Sequence, residues 1–324
     1  MRRGAFPRQA GGGAPGAATP GTVSGADGEA GLAHLAMLGF AFLVSTSFPI
    51  GHAITASLDP AVLTGLRFSL AAVVFAVLVT LRGEWRPLQI RRIPVYLVIA
   101  LSLDIFFVTM FEALRTTSAL NAGAVFTLLP AFTTLAGFVM LRQKVSRRQL
   151  FCLALGAVGA LLVLFGEDLS RLGRLELGKG EAIFVVGVAA YAFYAPLMRL
   201  LNQGEPLTLF NFRIIVTGAV LLFAYGGRSL GETEWSMVPA GVYLGIVYLA
   251  VFPTAASFFL ATYASLRLPA GPVMAYTYLL PSFVLLESAL VFGADWPGGW
   301  TLVGVLVTGL ATLVLQRASA LRRY

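Results

Sequence analysis

Ten long apolar stretches fill most of this chain, and only short segments are left to connect them. They lie near residues 32–51, 61–81, 94–114, 119–141, 149–166, 180–201, 207–227, 239–262, 269–292 and 299–316. Each is close to the roughly 17 to 25 apolar residues with which a helix crosses a bilayer. The runs are continuous, whereas a lipid-facing β-strand alternates apolar and polar residues. The sequence therefore predicts an all-α membrane protein with ten transmembrane helices, numbered 1 to 10 in chain order.

Composition supports this class. The chain of 324 residues is 58% hydrophobic and 12% charged, and its mean hydropathy is +0.83. A soluble domain would carry about twice that charged fraction. The net charge of +8 would suggest a nucleic-acid partner in a soluble protein. Here the position of the charges argues for a lipid bilayer as the partner instead.

The positive charges concentrate in alternate loops. Between helices 2 and 3 lie Arg82, Arg86, Arg91 and Arg92, while the loops on the opposite side hold most of the loop acids. Cytoplasmic loops of membrane proteins carry an excess of Lys and Arg. This pattern predicts that both termini are cytoplasmic, and it removes the reason to expect nucleic-acid binding.

Short polar segments flank the apolar region and divide it. Residues 1–30, rich in Gly, Ala and Pro, are predicted to be a disordered cytoplasmic tail. Residues 31–166 would hold helices 1 to 5, residues 179–317 would hold helices 6 to 10, and residues 318–324 would form a cytoplasmic C-terminal tail. Cys152 is the one cysteine, so an intramolecular disulfide is impossible. His34 and His52 have no partner at metal-ligand spacing, and we expect neither a metal nor a cofactor.

The two halves of the chain repeat one pattern. Residues 128–132 read LLPAF and residues 279–283 read LLPSF, at an offset of about 150 residues. Pro49 matches Pro196, and Arg67 in helix 2 has a counterpart in Arg213 of helix 7. Because five helices make each half, the second half must enter the membrane inverted relative to the first. Inverted repeats are typical of secondary transporters, in which the substrate site lies between the halves.

Four matched prolines lie within or near the ends of spans. Each removes a backbone hydrogen bond and can kink its helix. Kinks can open a cavity and free carbonyl groups that line it. Static curvature for packing is the alternative interpretation of Pro49, Pro130, Pro196 and Pro281.

Longer stretches resemble a known family. Residues 113–164, beginning ALRTTSALNAGAVFTLLPAF, and residues 262–292 in the second half resemble the EamA repeat of the drug/metabolite transporter superfamily. Leu66-Arg67-Phe68 is similar to the Leu-Arg-Phe of that family's helix 2. The resemblance implies two inverted five-helix EamA repeats in a bacterial inner membrane. It also implies alternating access around a central cavity lined by helices 1, 3, 4, 6, 8 and 9. The expected substrates are small metabolites such as amino acids or related compounds, which the family frequently exports.

Two acidic residues fall inside predicted spans. A charge at the centre of a membrane helix costs about 2.5 to 3.5 kcal/mol on insertion scales, so each needs a reason. Asp104 lies in the middle of helix 3 and Glu287 in the outer part of helix 9. Either could contact a substrate or carry a proton as the coupling ion. The structural alternatives are an Arg partner or neighbouring hydrogen bonds for Asp104, and a bond between helices for Glu287.

The matched arginines Arg67 and Arg213 lie near span ends. An arginine can reach a lipid phosphate from such depth, or it can form an intramembrane ion pair. The functional alternative is a clamp for a substrate carboxylate. Their equivalent places in the two halves favour a gate or a symmetric structural role.

Hydroxyl and aromatic side chains cluster on helices 1, 6, 8 and 9. Rings for stacking and hydroxyls for orientation suit a cavity for an amphipathic solute, although such residues also serve packing. The candidates are Ser45, Thr46, Ser47, Tyr191, Tyr194, Tyr248, Tyr276, Thr277 and Tyr278.

Several function classes lack their motifs. The sequence has no Walker A motif, HExxH or GxSxG, and no repeated filter sequence of a channel. We therefore expect a secondary active transporter rather than an enzyme. A membrane sensor that binds a small solute without moving it is the alternative, and gradient-responsive flux distinguishes the two.

Overall fold

The computed structural model describes residues 21–142, 145–165, 177–265, 267–268, 273 and 276–320. Over these residues the chain forms helices joined by loops, without a β-strand. Seven helical segments are long and apolar enough to cross a membrane. They are α1 (Gly31–Ile54), α2 (Pro60–Leu81), α3 (Ile90–Ala113), α4 (Ala119–Leu141), α6 (Lys179–Leu201), α7 (Leu207–Tyr225) and α8 (Ala240–Ser265).

Three shorter apolar helices occupy the other predicted spans. They are α5 (Leu150–Phe165), α9 (Tyr276–Phe292) and α10 (Gly299–Val314). Residues 269–272 and 274–275, predicted to begin helix 9, lie outside the described residues.

The ends of the chain differ from the expectation in one respect. The first helix begins at Gly21, so residues 21–30 are helical rather than part of a disordered tail. No proline follows Pro20 until Pro49, so no missing N–H stops the helix from extending upstream of the apolar run. Residues 1–20 and 321–324 lie outside the described part of the chain.

Four helices are interrupted, each just before one of the matched prolines. The helix that contains α1 separates at Thr46 into Gly21–Ser45 and Ser47–Ile54, and α6 separates into Lys179–Tyr191 and Tyr194–Leu201. The segment α4 separates into Ala119–Phe126 and Leu129–Leu141, and in α9 the 3-10 turn Tyr276–Leu279 precedes the α-helix Leu280–Phe292.

The position of the proline is the same in the equivalent helices. Pro49 and Pro196 are each the third residue of the second part of their helix, and Pro130 and Pro281 are each the second. Since proline has no N–H and crowds the preceding turn, the regular ladder cannot pass through it. The repeat in the sequence is therefore also a repeat in backbone geometry.

Helix pairing follows the same symmetry. The most extensive helix contacts join α5 with α10, α2 with α7, α3 with α6, and α1 with α8. Exchanging the first five helices with the last five leaves this set of pairs unchanged. The pair α5 and α10 approaches closely at two glycines, because a Cβ built at Gly304 would lie 2.8 Å from the carbonyl oxygen of Gly159.

Candidate functional site

The break in α1 brings a hydroxyl to a buried carboxylate of α9. Ser45 ends the first part of α1, and its Oγ donates to Glu287 Oε1 at 2.6 Å. Both side chains are buried. Glu287 Oε2 is buried too and has no hydrogen-bond partner among the described residues. The structure thus joins two residues that the sequence nominated separately, and it leaves one carboxylate oxygen of the pair unused.

Asp104 lies in a different part of the bundle, on α3 against α7. Its side chain is 5% exposed. A Cβ built at Gly218 of α7 would lie 2.6 Å from Asp104 Oδ1, so the carboxylate is pressed against the backbone of that helix. Neither carboxylate oxygen has a hydrogen-bond partner within the described part of the chain. A structural role for Asp104 would require an Arg partner or neighbouring hydrogen-bond donors. The described residues supply neither.

Arg67 is buried inside the bundle at 1% exposure, so in this structure it cannot reach a lipid phosphate. Its Nε donates to Thr254 Oγ1 of α8 at 2.9 Å, and its Cζ lies 4.4 Å from the ring centroid of Phe107 on α3. Its Nη1 is buried without a partner among the residues that the structure describes. A pair of phenylalanine rings lies between Arg67 and Asp104. Arg67 lies over the Phe107 ring, Phe107 packs on Phe68, and Phe68 lies beside Gly218, against which Asp104 is pressed.

The partner of Arg67 sits in an irregular turn that the sequence reasoning missed. Residues Val251–Ala256 of α8 form a π-helical segment that contains Pro253. Thr254 Oγ1 donates to Leu249 O at 2.8 Å while it accepts from Arg67. Such π segments widen a helix by one residue and frequently occur at functional sites. Pro253 inside a span was the signal that could have located it.

Two of the predicted tyrosines stack at the break of α6. The rings of Tyr191 and Tyr194 are 5.5 Å apart, and the Tyr191 ring stacks on Phe106 of α3 at 4.6 Å. Tyr194 Oη donates to Asn211 Oδ1 of α7 at 2.7 Å. The result is a short aromatic column between α3, α6 and α7.

The other candidates have separate local roles. Tyr276 Oη lies 2.9 Å from His34 Nδ1 of α1, whereas the buried hydroxyl of Tyr278 has no partner among the described residues. Tyr248 packs on Phe252 with ring centroids 4.9 Å apart. Thr46 Oγ1 donates to Leu43 O at 2.7 Å within α1. The structure therefore does not gather all nominated residues into one site.

Arg213 forms the ion pair that was one interpretation of its position. Its guanidinium pairs with Glu205, and its Nη1 donates to Tyr96 Oη at 3.0 Å. Arg92 Nη2 lies 3.9 Å from the same carboxylate. Sequence reasoning did not nominate Glu205 or Arg92, because an acid and a base between predicted spans ordinarily face solvent. Nothing in the sequence singled out Tyr96 in α3.

A cavity of about 590 Å³ opens at one end of the bundle, away from the nominated residues. It lies between the loop from α1 to α2 and the loop from α7 to α8. Its charged lining comes from Asp59, Arg115 and Glu234. Within the described residues, no group of three or more His, Cys, Asp or Glu side chains is placed to hold a metal ion.

The sequence of this chain is similar to those of several known transporters. The chain is 23% identical over 222 residues to the uncharacterized transporter YyaM of Bacillus subtilis, which covers 68% of this chain and 72% of that protein. It is 26% identical over 206 residues to a S-adenosylmethionine/S-adenosylhomocysteine transporter of Chlamydia muridarum. That match covers 61% of this chain and 64% of the relative, which is less than two thirds of its length.

A solved crystal structure shares the fold. It superposes with a TM-score of 0.67 at 17% identity and covers 90% of this chain and 99% of its own. The model of the EamA-like transporter family matches residues 31–165 and again residues 178–317. The chain therefore belongs to the EamA-like transporter family.

Proposed function

We propose that this protein is a secondary active transporter that exports small metabolites, such as amino acids or related compounds, by alternating access. Two inverted five-helix repeats would rock around the broken helices α1, α4, α6 and α9. The basic loops support a cytoplasmic location of both termini, and the bacterial relatives support an inner-membrane location.

One observation carries the proposal, namely that polar atoms of two buried charged groups inside the bundle are left without hydrogen-bond partners. Asp104 Oδ1 and Oδ2 and Arg67 Nη1 have none among the described residues. A buried polar group without a partner costs free energy, and a chain that only needed to fold would replace it. Such groups are expected where a polar solute supplies the missing contacts during part of a cycle.

The same groups suggest the chemistry of the solute. A carboxylate and a guanidinium together match a molecule with both a cationic and an anionic group. The stacked Tyr191 and Tyr194 offer faces to an apolar or ring-bearing portion. S-adenosylmethionine, the substrate named for one relative, has all three features and is therefore a sensible probe beside amino acids. Asp104 is also the first candidate to carry a coupling proton.

The test is flux in proteoliposomes that contain the purified protein. A mixture of the proteinogenic amino acids and S-adenosylmethionine would be followed by mass spectrometry, with and without a proton gradient. We expect a saturable flux that Asp104→Asn lowers at least about tenfold, since a hydrogen bond to a charged group contributes about 1.5 to 3 kcal/mol. Dependence of the flux on the gradient would assign the proton as the coupling ion.

The matched control is Asp295→Asn, which makes the same chemical change at an exposed position. Its flux should equal that of the unaltered protein. Equal flux in Asp104→Asn would assign Asp104 to structure and move attention to Glu287. Saturable binding of a pool member without any flux would instead favour a sensor.

A further inference from the structure

Each half of the chain begins its second helix with the same short motif. Asp59-Pro60 stands at the start of α2 and Glu205-Pro206 at the start of α7. In both halves an arginine follows at the same spacing, acid-Pro-x6-Arg, which gives Arg67 and Arg213. The two acid–arginine pairs are therefore equivalent by sequence.

In the second half the pair is closed. Glu205 is ion-paired with Arg213, accepts from Tyr96 Oη at 3.0 Å and lies 3.9 Å from Arg92. The Glu205 and Arg213 side chains are only 6% and 11% exposed. Breaking such a buried pair from one side leaves an uncompensated charge, so the contact resists opening.

The closed pair also straps two loops together, one from each half. Arg92 Nη2 donates to Leu201 O at 2.7 Å, and Arg86 Nη1 donates to Gly204 O at 3.1 Å. Arg213 donates to the backbone carbonyl of Arg86. The loop from α2 to α3 is thereby fastened to the loop from α6 to α7, and this end of the bundle is held shut.

In the first half the equivalent pair is open. Asp59 caps its helix by accepting from Ala61 N at 2.9 Å and Val62 N at 3.3 Å, and it lies 3.4 Å from Ser229 Oγ. Arg67 turns away from Asp59 to Thr254 in the middle of α8. The loops equivalent to the strapped ones are those from α1 to α2 and from α7 to α8, and the cavity of about 590 Å³ lies between them.

We propose that these two pairs are the equivalent latches of an alternating-access cycle, with Glu205–Arg213 closing one end while Asp59–Arg67 is released at the other. To close the end that holds the cavity, Arg67 would leave Thr254 and pair with Asp59. Asp59 would then lose its cap bonds to Ala61 N and Val62 N. This inference rests on the proposed transport function. It adds Glu205, Arg92 and Tyr96 to the gate that the sequence placed at Arg67 and Arg213.

The test reads the opening of each end without any transport substrate. In a Cys152→Ser background, Thr208→Cys places a reporter beneath the strapped loops, where Thr208 is buried and accepts from Arg82 at 3.0 Å. Ser57→Cys places one in the lining of the cavity. The full-length protein in detergent micelles would be treated with a trimethylammonium-ethyl methanethiosulfonate reagent, and its modification rate followed by mass spectrometry.

Glu205→Gln should raise the rate at residue 208 at least about tenfold and lower it at residue 57, because the closed state loses its ion pair. Glu232→Gln is the matched control, since Glu232 pairs with Arg228 at 2.8 Å on the surface. It should change neither rate. An unchanged rate at residue 208 would refute the latch, and a rise there without a fall at residue 57 would refute the alternation.

A second variant covers a failure of Glu205→Gln to give a monodisperse protein by size-exclusion chromatography. Arg92→Gln weakens the same latch at its longer contact and should move both reporters in the same directions by a smaller factor. Flux in proteoliposomes is measured separately. If the modification rates at residues 208 and 57 change as expected but no flux is seen, the latch is supported and transport is rejected. If flux is seen but the rates do not change, transport is supported and the latch is rejected.

Discussion

Arg67 and Arg213 occupy matching positions in two copies of one design, yet they end in different surroundings. Arg213 is neutralised by Glu205 near the end of its helix, with Tyr96 and Arg92 beside it. Arg67 lies deep among aromatic rings, bonded to one threonine, and no carboxylate oxygen of the described residues is within 4.0 Å of it. Equivalent sequence positions therefore do not imply equivalent interactions.

This difference separates two uses of a buried charge. A paired charge holds structure together, because its partner would be stranded without it. An unpaired charge carries a cost that folding does not repay, and it is available to a ligand or to a moving helix. The following predictions test this separation by comparing changes at equivalent places in the two halves.

The largest effect is expected for Arg213→Met. Removal of the guanidinium leaves the Glu205 carboxylate buried and uncompensated, which should lower the free energy of unfolding by about 3 to 5 kcal/mol. Unfolding would be followed by circular dichroism in mixed micelles during titration with dodecyl sulfate. Glu205→Gln combined with Arg213→Met should recover most of the loss, and an additive double variant would contradict the pairing.

Unlike Arg213→Met, Arg67→Met should not lower the free energy of unfolding. Replacing a buried charge that has no acidic partner with an apolar side chain of similar length is expected to be neutral or stabilising by up to about 4 kcal/mol. The same titration measures it, while flux in proteoliposomes should fall. A loss of stability as large as that of Arg213→Met would erase the distinction between the two arginines.

Thr254→Val tests the hydrogen bond that Arg67 makes with α8. It removes the hydroxyl that accepts from Arg67 Nε, and a hydrogen bond to a charged group contributes about 1.5 to 3 kcal/mol. We expect a stability loss in that range. The control is Thr217→Val, because the Thr217 hydroxyl donates to the carbonyl of Arg213 within its own helix. A loss at Thr217 equal to that at Thr254 would show that the bond to Arg67 adds nothing.

The smallest effect on stability is expected at the ends of the matched helices α4 and α9. Arg142 and Gly293 both follow the last helical turn in the left-handed region, with φ of 51° and 66°. Only glycine adopts this conformation without steric cost, so Arg142→Gly should stabilise by about 1 kcal/mol and Gly293→Ala should destabilise by a similar amount. A Cβ at Gly293 would meet no atom within 4 Å, so the effect is one of backbone conformation alone. The midpoint of thermal unfolding measures both.

The sequence predicted the backbone better than the contacts. Proline acts through its own missing N–H, so the breaks near Pro49 and Pro196 could be placed without knowing any neighbour. Pro253 is not one of the four matched prolines, so the repeat did not point to the π-helical turn around it. The helical start at Gly21 was missed because composition describes average disorder, whereas a helix extends residue by residue from a stable core.

The candidate site shows the same limit. Ser45 and Glu287 were each nominated because a polar group in a span needs a reason, but a residue's own sequence neighbours do not identify a partner on another helix. Glu205 escaped notice because loop acids are usually solvated. Here Arg92 lies 3.9 Å from its carboxylate, and the Arg86 side chain donates to the carbonyl of the neighbouring Gly204.

Sequence alone determined the membrane class, the two similar halves and the positions at which the helices break, because hydropathy, charge bias and proline act locally. Tertiary structure decided which buried charges are paired, which are left without partners and which end of the bundle is strapped shut. Those outcomes depend on distances between helices that are far apart in the chain, and two halves of nearly the same sequence pattern resolved them differently.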